Sequence, residues 1–122
     1  MKNAFYVLIL SFIFVGCAMN YTSTSFYVKN TSDKTVNFKA SIVKYSSMGP
    51  SIMTLPFTVL PNDSVLARRV GLRNNAKATN WFTDFTIFPV NGIELNNPND
   101  TLNWLLSYDK NGKPQYIFHI AK

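Results

Sequence analysis

The sequence predicts an all-β protein, a single antiparallel β-sandwich of about seven strands, and three observations carry that reading. Apolar runs after residue 24 are short, and clusters of Asn, Asp, Ser, Gly and Pro separate them. Several runs alternate apolar and polar residues with the period of two that marks a half-buried strand, and none sustains a helical period. At 122 residues, with 47% hydrophobic and 15% aromatic content, the chain has material for one core and room for one domain.

Residues 25–29 (SFYVK) form the first expected strand, ended by NTSDK at 30–34, which carries turn chemistry at nearly every position. A second strand over 35–45 places Val36, Phe38, Ala40 and Ile42 on one face against Asn37, Lys39 and Ser41. Gly49-Pro50 punctuates, and 51–59 continues as a strand that Pro56 confines to an edge or a bulge. Leu60 to Asp63 is a turn. The strand that follows, 64–72, sets Val65, Ala67 and Arg69 against Leu66, Arg68 and Val70.

A polar loop over 73–80 leads into WFTDFTIFPV at 81–90, whose aromatics on both faces predict a strand central to the fold. Asn91-Gly92 is a strong turn signal, followed by a short apolar run at 93–95. Residues 102–108 fit a strand or a short helical turn, and Asp100 or Thr101 as a cap favours the turn. A hairpin loop at 109–113 precedes a closing strand over 115–121, with Tyr116, Phe118 and Ile120 on one face.

The amino terminus has a different character. Lys2 precedes an apolar run from Ala4 to Val15, shorter than the roughly 20 residues that cross a bilayer. A positive start and a short apolar run are the parts of a signal peptide, here an N-terminal signal helix. The run ends Phe14-Val15-Gly16-Cys17, which resembles the lipobox of bacterial lipoproteins, with Phe14 where Leu is usual. The resemblance implies that residues 1–16 are removed, that the Cys17 thiol carries acyl chains such as palmitate, that 17–24 is a flexible tether, and that 25–122 is the sandwich.

Cys17 is the only cysteine, so no intrachain disulfide competes for its thiol. Position 18 is not Asp, and no acidic run follows Cys17 of the kind that marks surface lipoproteins of the Bacteroidetes. The resemblance therefore implies an outer-membrane lipoprotein, with the periplasmic face ahead of the cell surface. FYVKNTSDKTVNFKASI at 26–42 resembles the opening hairpin of immunoglobulin-like sandwiches in secreted bacterial proteins. Leu60-Pro61-Asn62-Asp63-Ser64-Val65 resembles the turn by which such folds pass a strand to the opposite sheet.

A net charge of +6 favours anionic surfaces, such as phosphate-bearing lipids or acidic glycans, without naming a partner. His119, the only histidine, has no cysteine or second histidine to join in a nucleophilic pair or a metal site, and reads as a partly exposed strand residue. Four of the six acidic residues lie in expected turns, with no calcium-loop spacing. Asp84, among Phe82, Phe85 and Phe88, reads as solvated or paired with Arg68 or Arg69 rather than catalytic. No catalytic residue, cofactor or metal is assigned.

Arg68, Arg69, Arg73 and Lys77, followed by Trp81, interleave cations with an aromatic and are the candidate ligand or partner contact. Nucleic acid does not fit an exported protein. Asp63-Ser64-Val65 and Asp100-Thr101-Leu102 resemble the acceptor pattern of general O-glycosylation in Bacteroidetes, which implies Ser64 and Thr101 as glycosylation sites. The expected function is that of a membrane-anchored, non-enzymatic binding module, or an accessory subunit with an envelope protein or glycan as partner. The alternatives are a small glycan-active or hydrolytic enzyme using Asp84 or His119, and a structural envelope protein.

Overall fold

The computed structural model describes residues 22–72 and 81–122. Among these residues seven strands run in the order β1 (Thr22–Lys29), β2 (Val36–Ser46), β3 (Gly49–Val59), β4 (Ser64–Leu72), β5 (Asp84–Ile87), β6 (Trp104–Tyr108) and β7 (Pro114–His119), with a 3-10 turn, Thr101–Asn103, before β6. They form a four-stranded sheet, β4-β1-β7-β6, and a three-stranded sheet, β3-β2-β5. Among the described residues no helix is long and apolar enough to cross a membrane.

The two sheets pack face to face. From one come Phe26, Val28, Trp104 and Phe118, and from the other Val36, Phe38, Ala40, Val59, Phe85 and Ile87. Phe26 is enclosed by Tyr116 at 5.5 Å, Phe82 at 5.7 Å and Trp104 at 6.0 Å between ring centroids. Within the three-stranded sheet Phe38 stacks on Phe57 at 4.7 Å and on Phe85 at 4.9 Å. Offset and edge contacts of this kind add to the area that each ring buries.

The period-two reading of β2 holds where the sheets overlap. Val36, Phe38 and Ala40 are buried. Ile42 is only half-buried, because β5 pairs with β2 no further than Ser41, and the β2–β3 hairpin continues past that point alone. Pro56 does lie on an edge strand, since β3 pairs only with β2.

Several expectations are corrected. The four-stranded sheet is mixed rather than antiparallel: β7 runs parallel to β1, with Tyr116 opposite Phe26 and Phe118 opposite Val28. The β6–β7 hairpin lays the last strand beside the first so that Phe26 of β1 and Tyr116 and Phe118 of β7 face the core together. Strand β1 begins at Thr22 rather than 25, because Thr22, Ser23 and Thr24 pair with Leu72, Gly71 and Val70. Segment 26–42 is not a hairpin. It passes from one sheet to the other between β1 and β2, whereas Leu60 to Asp63 does make the expected crossing between β3 and β4.

Strand β5 is a short edge strand, not a central one. Its aromatics belong to the core for another reason: Phe85 points inward from the strand, and Phe82 packs inward from the segment ahead of it. Residues 102–108 resolve into the 3-10 turn, with the Asp100 carboxylate accepting from the Leu102 N–H at 3.0 Å, followed directly by β6. The cap was legible, but the helical turn it starts is only Thr101–Asn103 long.

Asn30 is fully buried where the chain leaves β1. Its amide donates to the carbonyls of Lys34 at 2.6 Å and Val59 at 3.0 Å, and its Oδ1 accepts from the Ser32 N–H and hydroxyl. Its own N–H donates to the Asp63 carbonyl. One residue thus ties the β1–β2 crossing to the end of β3 through its side chain and to the turn before β4 through its backbone.

Candidate functional site

Pairing register decides which side of the sheet each candidate residue faces. A bulge in β4 between the partners of Phe26 and Tyr27 places Arg68 opposite Phe26 and Leu66 opposite Tyr27, with Ala67 as the extra residue. Alternation therefore slips by one: Val65, Arg68 and Val70 share the inner side, and Leu66 and Arg69 the outer.

The expected basic and aromatic cluster is divided as a result. Arg68 turns inward, its guanidinium donates to the Trp81 carbonyl, and its carbon lies 5.4 Å from the centre of the Trp81 ring. Burial holds the Arg68 guanidinium below the usual arginine value. Trp81 packs against the core, and its buried indole N–H has no hydrogen-bond partner among the described residues. Arg69 faces the other way and donates from Nε to the Ser25 hydroxyl at 3.3 Å. Arg73, Lys77 and Cys17 lie outside the described residues.

Asp84 is exposed at the start of β5, where it accepts from the Thr86 hydroxyl at 3.5 Å. Of the two readings of Asp84, the solvated one holds, and the pairing with Arg68 or Arg69 is not formed: Arg68 donates to Trp81 and Arg69 to Ser25. His119 ends β7 on the outer side, next to Lys29. Because β5 starts at the end of the sandwich where β7 starts, Asp84 and His119 occupy opposite ends and different sheets. They cannot act on one bond. Among the described residues no three His, Cys, Asp or Glu side chains gather to hold a metal.

Ser64 is exposed at the start of β4, where its N–H donates to Asp63 Oδ1 at 2.8 Å. Thr101 is half-buried at the first position of the 3-10 turn. In both motifs the preceding Asp turns its carboxylate onto a local backbone N–H.

A different surface emerges from the same register. Leu66, Tyr27, Ile117 and Leu105 stand side by side on the outer face of the four-stranded sheet, one from each strand. Leu105 is 56% exposed and Leu66 38%. Four strands at about 4.8 Å spacing make this apolar stripe roughly 14 Å wide. Polar rows flank it, with Arg69, Ser25, Gln115 and Ser107 on one side and Ser64, Lys29 and His119 on the other. Sequence reading missed it because each strand contributes one residue, and the stripe exists only after pairing.

Together the two packed sheets and this outer face define a small all-β protein of sandwich-like architecture. Comparison with models of protein families, with curated proteins and with solved structures finds no match to this chain.

Proposed function

We propose that the protein is a bacterial lipoprotein, held through acylated Cys17 on the periplasmic face of the outer membrane, whose sandwich serves as a non-enzymatic binding module or accessory subunit. The observation that carries the binding role is the outer stripe of Leu66, Tyr27, Ile117 and Leu105 with its polar borders. An apolar centre with a polar, partly cationic rim is the anatomy of a protein interface, so the partner is an envelope protein rather than a glycan. The separation of Asp84 from His119 gives the hydrolase alternative no shared site.

The lipobox-like Phe14-Val15-Gly16-Cys17 supports the anchor. Ser64 and Thr101 are proposed glycan acceptors, on the exposure of Ser64 and the shared Asp-first motif. For the immunoglobulin-like subtype, the support is seven strands in two sheets and the crossing at Leu60–Asp63. The strand partition departs from that of constant-type immunoglobulin domains, which place the first, second, fourth and fifth strands together. Here the first shares a sheet with the fourth, sixth and seventh.

Crosslinking of the full-length protein in its native envelope tests the binding role. One stoichiometric protein partner is expected with the native chain, and Leu66→Glu with Leu105→Glu removes it while leaving stability within about 0.5 kcal/mol, as for other surface changes. Retention of the same partner by the double variant contradicts the proposal.

A further inference from the structure

The topology gathers particular parts of the chain at one end of the sandwich. Strands β1 and β7 start there, β2 and β6 end there, and β3 and β5 start there, so the β2–β3 and β6–β7 hairpins project beside the first residue of β1. The first hairpin runs past the last residue paired with β5 and exposes Tyr45 (80%), Met48 (97%) and Ile52 (71%). Tyr45 pairs with Pro50 and Val43 with Ile52, so these apolar residues share the hairpin's outer side. The second exposes Tyr108, with Lys110 and Lys113 in and beside its loop.

Charge follows the same axis. Of the six acidic residues, Asp33, Asp63, Glu94 and Asp100 belong to connections at the opposite end, beside the ends of β1 and β7. The hairpin end holds Asp84 and Asp109, and Asp109 Oδ1 already accepts the N–H groups of Asn111 at 2.8 Å and Lys113 at 2.9 Å. Among the described residues Lys44, Lys110 and Lys113 stand exposed at the hairpin end and outnumber its two aspartates, whereas Lys29, Lys34 and Lys122 at the opposite end are outnumbered by its four acidic residues, so the hairpin end is the more cationic and surrounds an apolar tip. Thr22 lies five positions after Cys17, and an extended chain spans at most about 3.6 Å per residue, so an acylated Cys17 holds the start of β1 within about 18 Å of a bilayer.

We infer that this end of the sandwich lies against an anionic lipid bilayer, with Tyr45, Met48 and Ile52 entering the headgroup region and Lys44, Lys110 and Lys113 meeting lipid phosphates. The inference rests on the anchored reading of Cys17. A hairpin tip with an exposed thioether, an aromatic and a branched aliphatic is suited to the interface, where apolar area and cations both favour binding. The contact also fixes the domain's posture. With this end down, the stripe on the outer face of the four-stranded sheet stands beside the membrane, open to a partner.

The test uses full-length protein extracted from its native membrane and reconstituted into vesicles of phosphatidylethanolamine and phosphatidylglycerol. An environment-sensitive fluorophore is attached at Met48→Cys or, as control, at Leu60→Cys, an exposed apolar site at the opposite end. Intact mass of the same preparation reports acylation of Cys17. Expected are an acylated chain, quenching by spin-labelled lipid several times stronger at position 48 than at 60, and loss of that excess in Lys110→Glu with Lys113→Glu or without phosphatidylglycerol. Equal quenching at both positions on an acylated chain overturns the inference and leaves the anchor standing. An excess indifferent to phosphatidylglycerol overturns the role of the lysines. An unacylated Cys17 ends both the anchored reading and the inference built on it.

Discussion

Phe26→Ala lowers the unfolding free energy by about 3–5 kcal/mol, the range for deleting a buried Phe ring. Phe26 is fully buried and touches rings from both flanks of the core, Tyr116 and Trp104 within its own sheet and Phe82 from the segment ahead of β5. Removing it leaves three aromatic neighbours facing a cavity that none can fill from a stacked or edge-on position. A domain of this size has a total stability of about 5–15 kcal/mol, so the variant sits near the limit of folding. Equilibrium unfolding in urea, followed by tryptophan fluorescence, measures the change, since Trp104 lies 6.0 Å from the deleted ring. Leu102→Ala is the control. Leu102 is 84% exposed and its loss should move the midpoint little.

Asn30→Ala costs about 2–4 kcal/mol, a large effect for a small polar residue. The variant strands the Val59 carbonyl and the Ser32 N–H, groups that the Asn30 amide satisfies inside the protein. Asn30→Asp is expected to fail nearly as badly despite its matching shape, because a carboxylate cannot donate to the carbonyls of Lys34 and Val59. Chemical denaturation of both variants checks this. Near-native stability of Asn30→Asp would show that donation from this side chain is not what holds the crossing.

Local patterns were legible in the sequence, and distant pairings were not. The alternation of Val36, Phe38 and Ala40 identified the inner face of β2 because a half-buried strand repeats every two residues. Pro56 located an edge because proline cannot donate to a ladder. The Asn91-Gly92 turn appears with Gly92 at φ +83°, a conformation that a residue with a Cβ rarely adopts.

The parallel pairing of β1 with β7 leaves no local trace, since it depends on where the intervening strands carry the chain. The bulge at Ala67 is equally silent, yet it decides that Arg68 turns to Trp81 while Arg69 faces outward. Aromatic residues on both sides of 81–90 suggested a central strand. The physical explanation is instead that Phe82 reaches the core from outside the strand, while Phe88 remains exposed. Asn30 read as one turn residue among several, because nothing in its neighbourhood foretells the Val59 carbonyl arriving from 29 positions away.

The candidate site divides along the same line. Residue type and charge drew attention to Arg68, Arg69 and Trp81, but the surface proposed for binding is made of Leu66, Tyr27, Ile117 and Leu105, unremarkable singly and contiguous only across four strands. A patch assembled by register can be found only when the register is known.

The measurement that tests the account most directly is site-specific photocrosslinking of the full-length protein in its native envelope, with the reactive group placed in turn at positions 105, 48 and 60. The account predicts a protein adduct of one defined mass from position 105, lipid adducts from position 48, and neither from position 60. No protein adduct at 105, or the same adducts from all three positions, would contradict it.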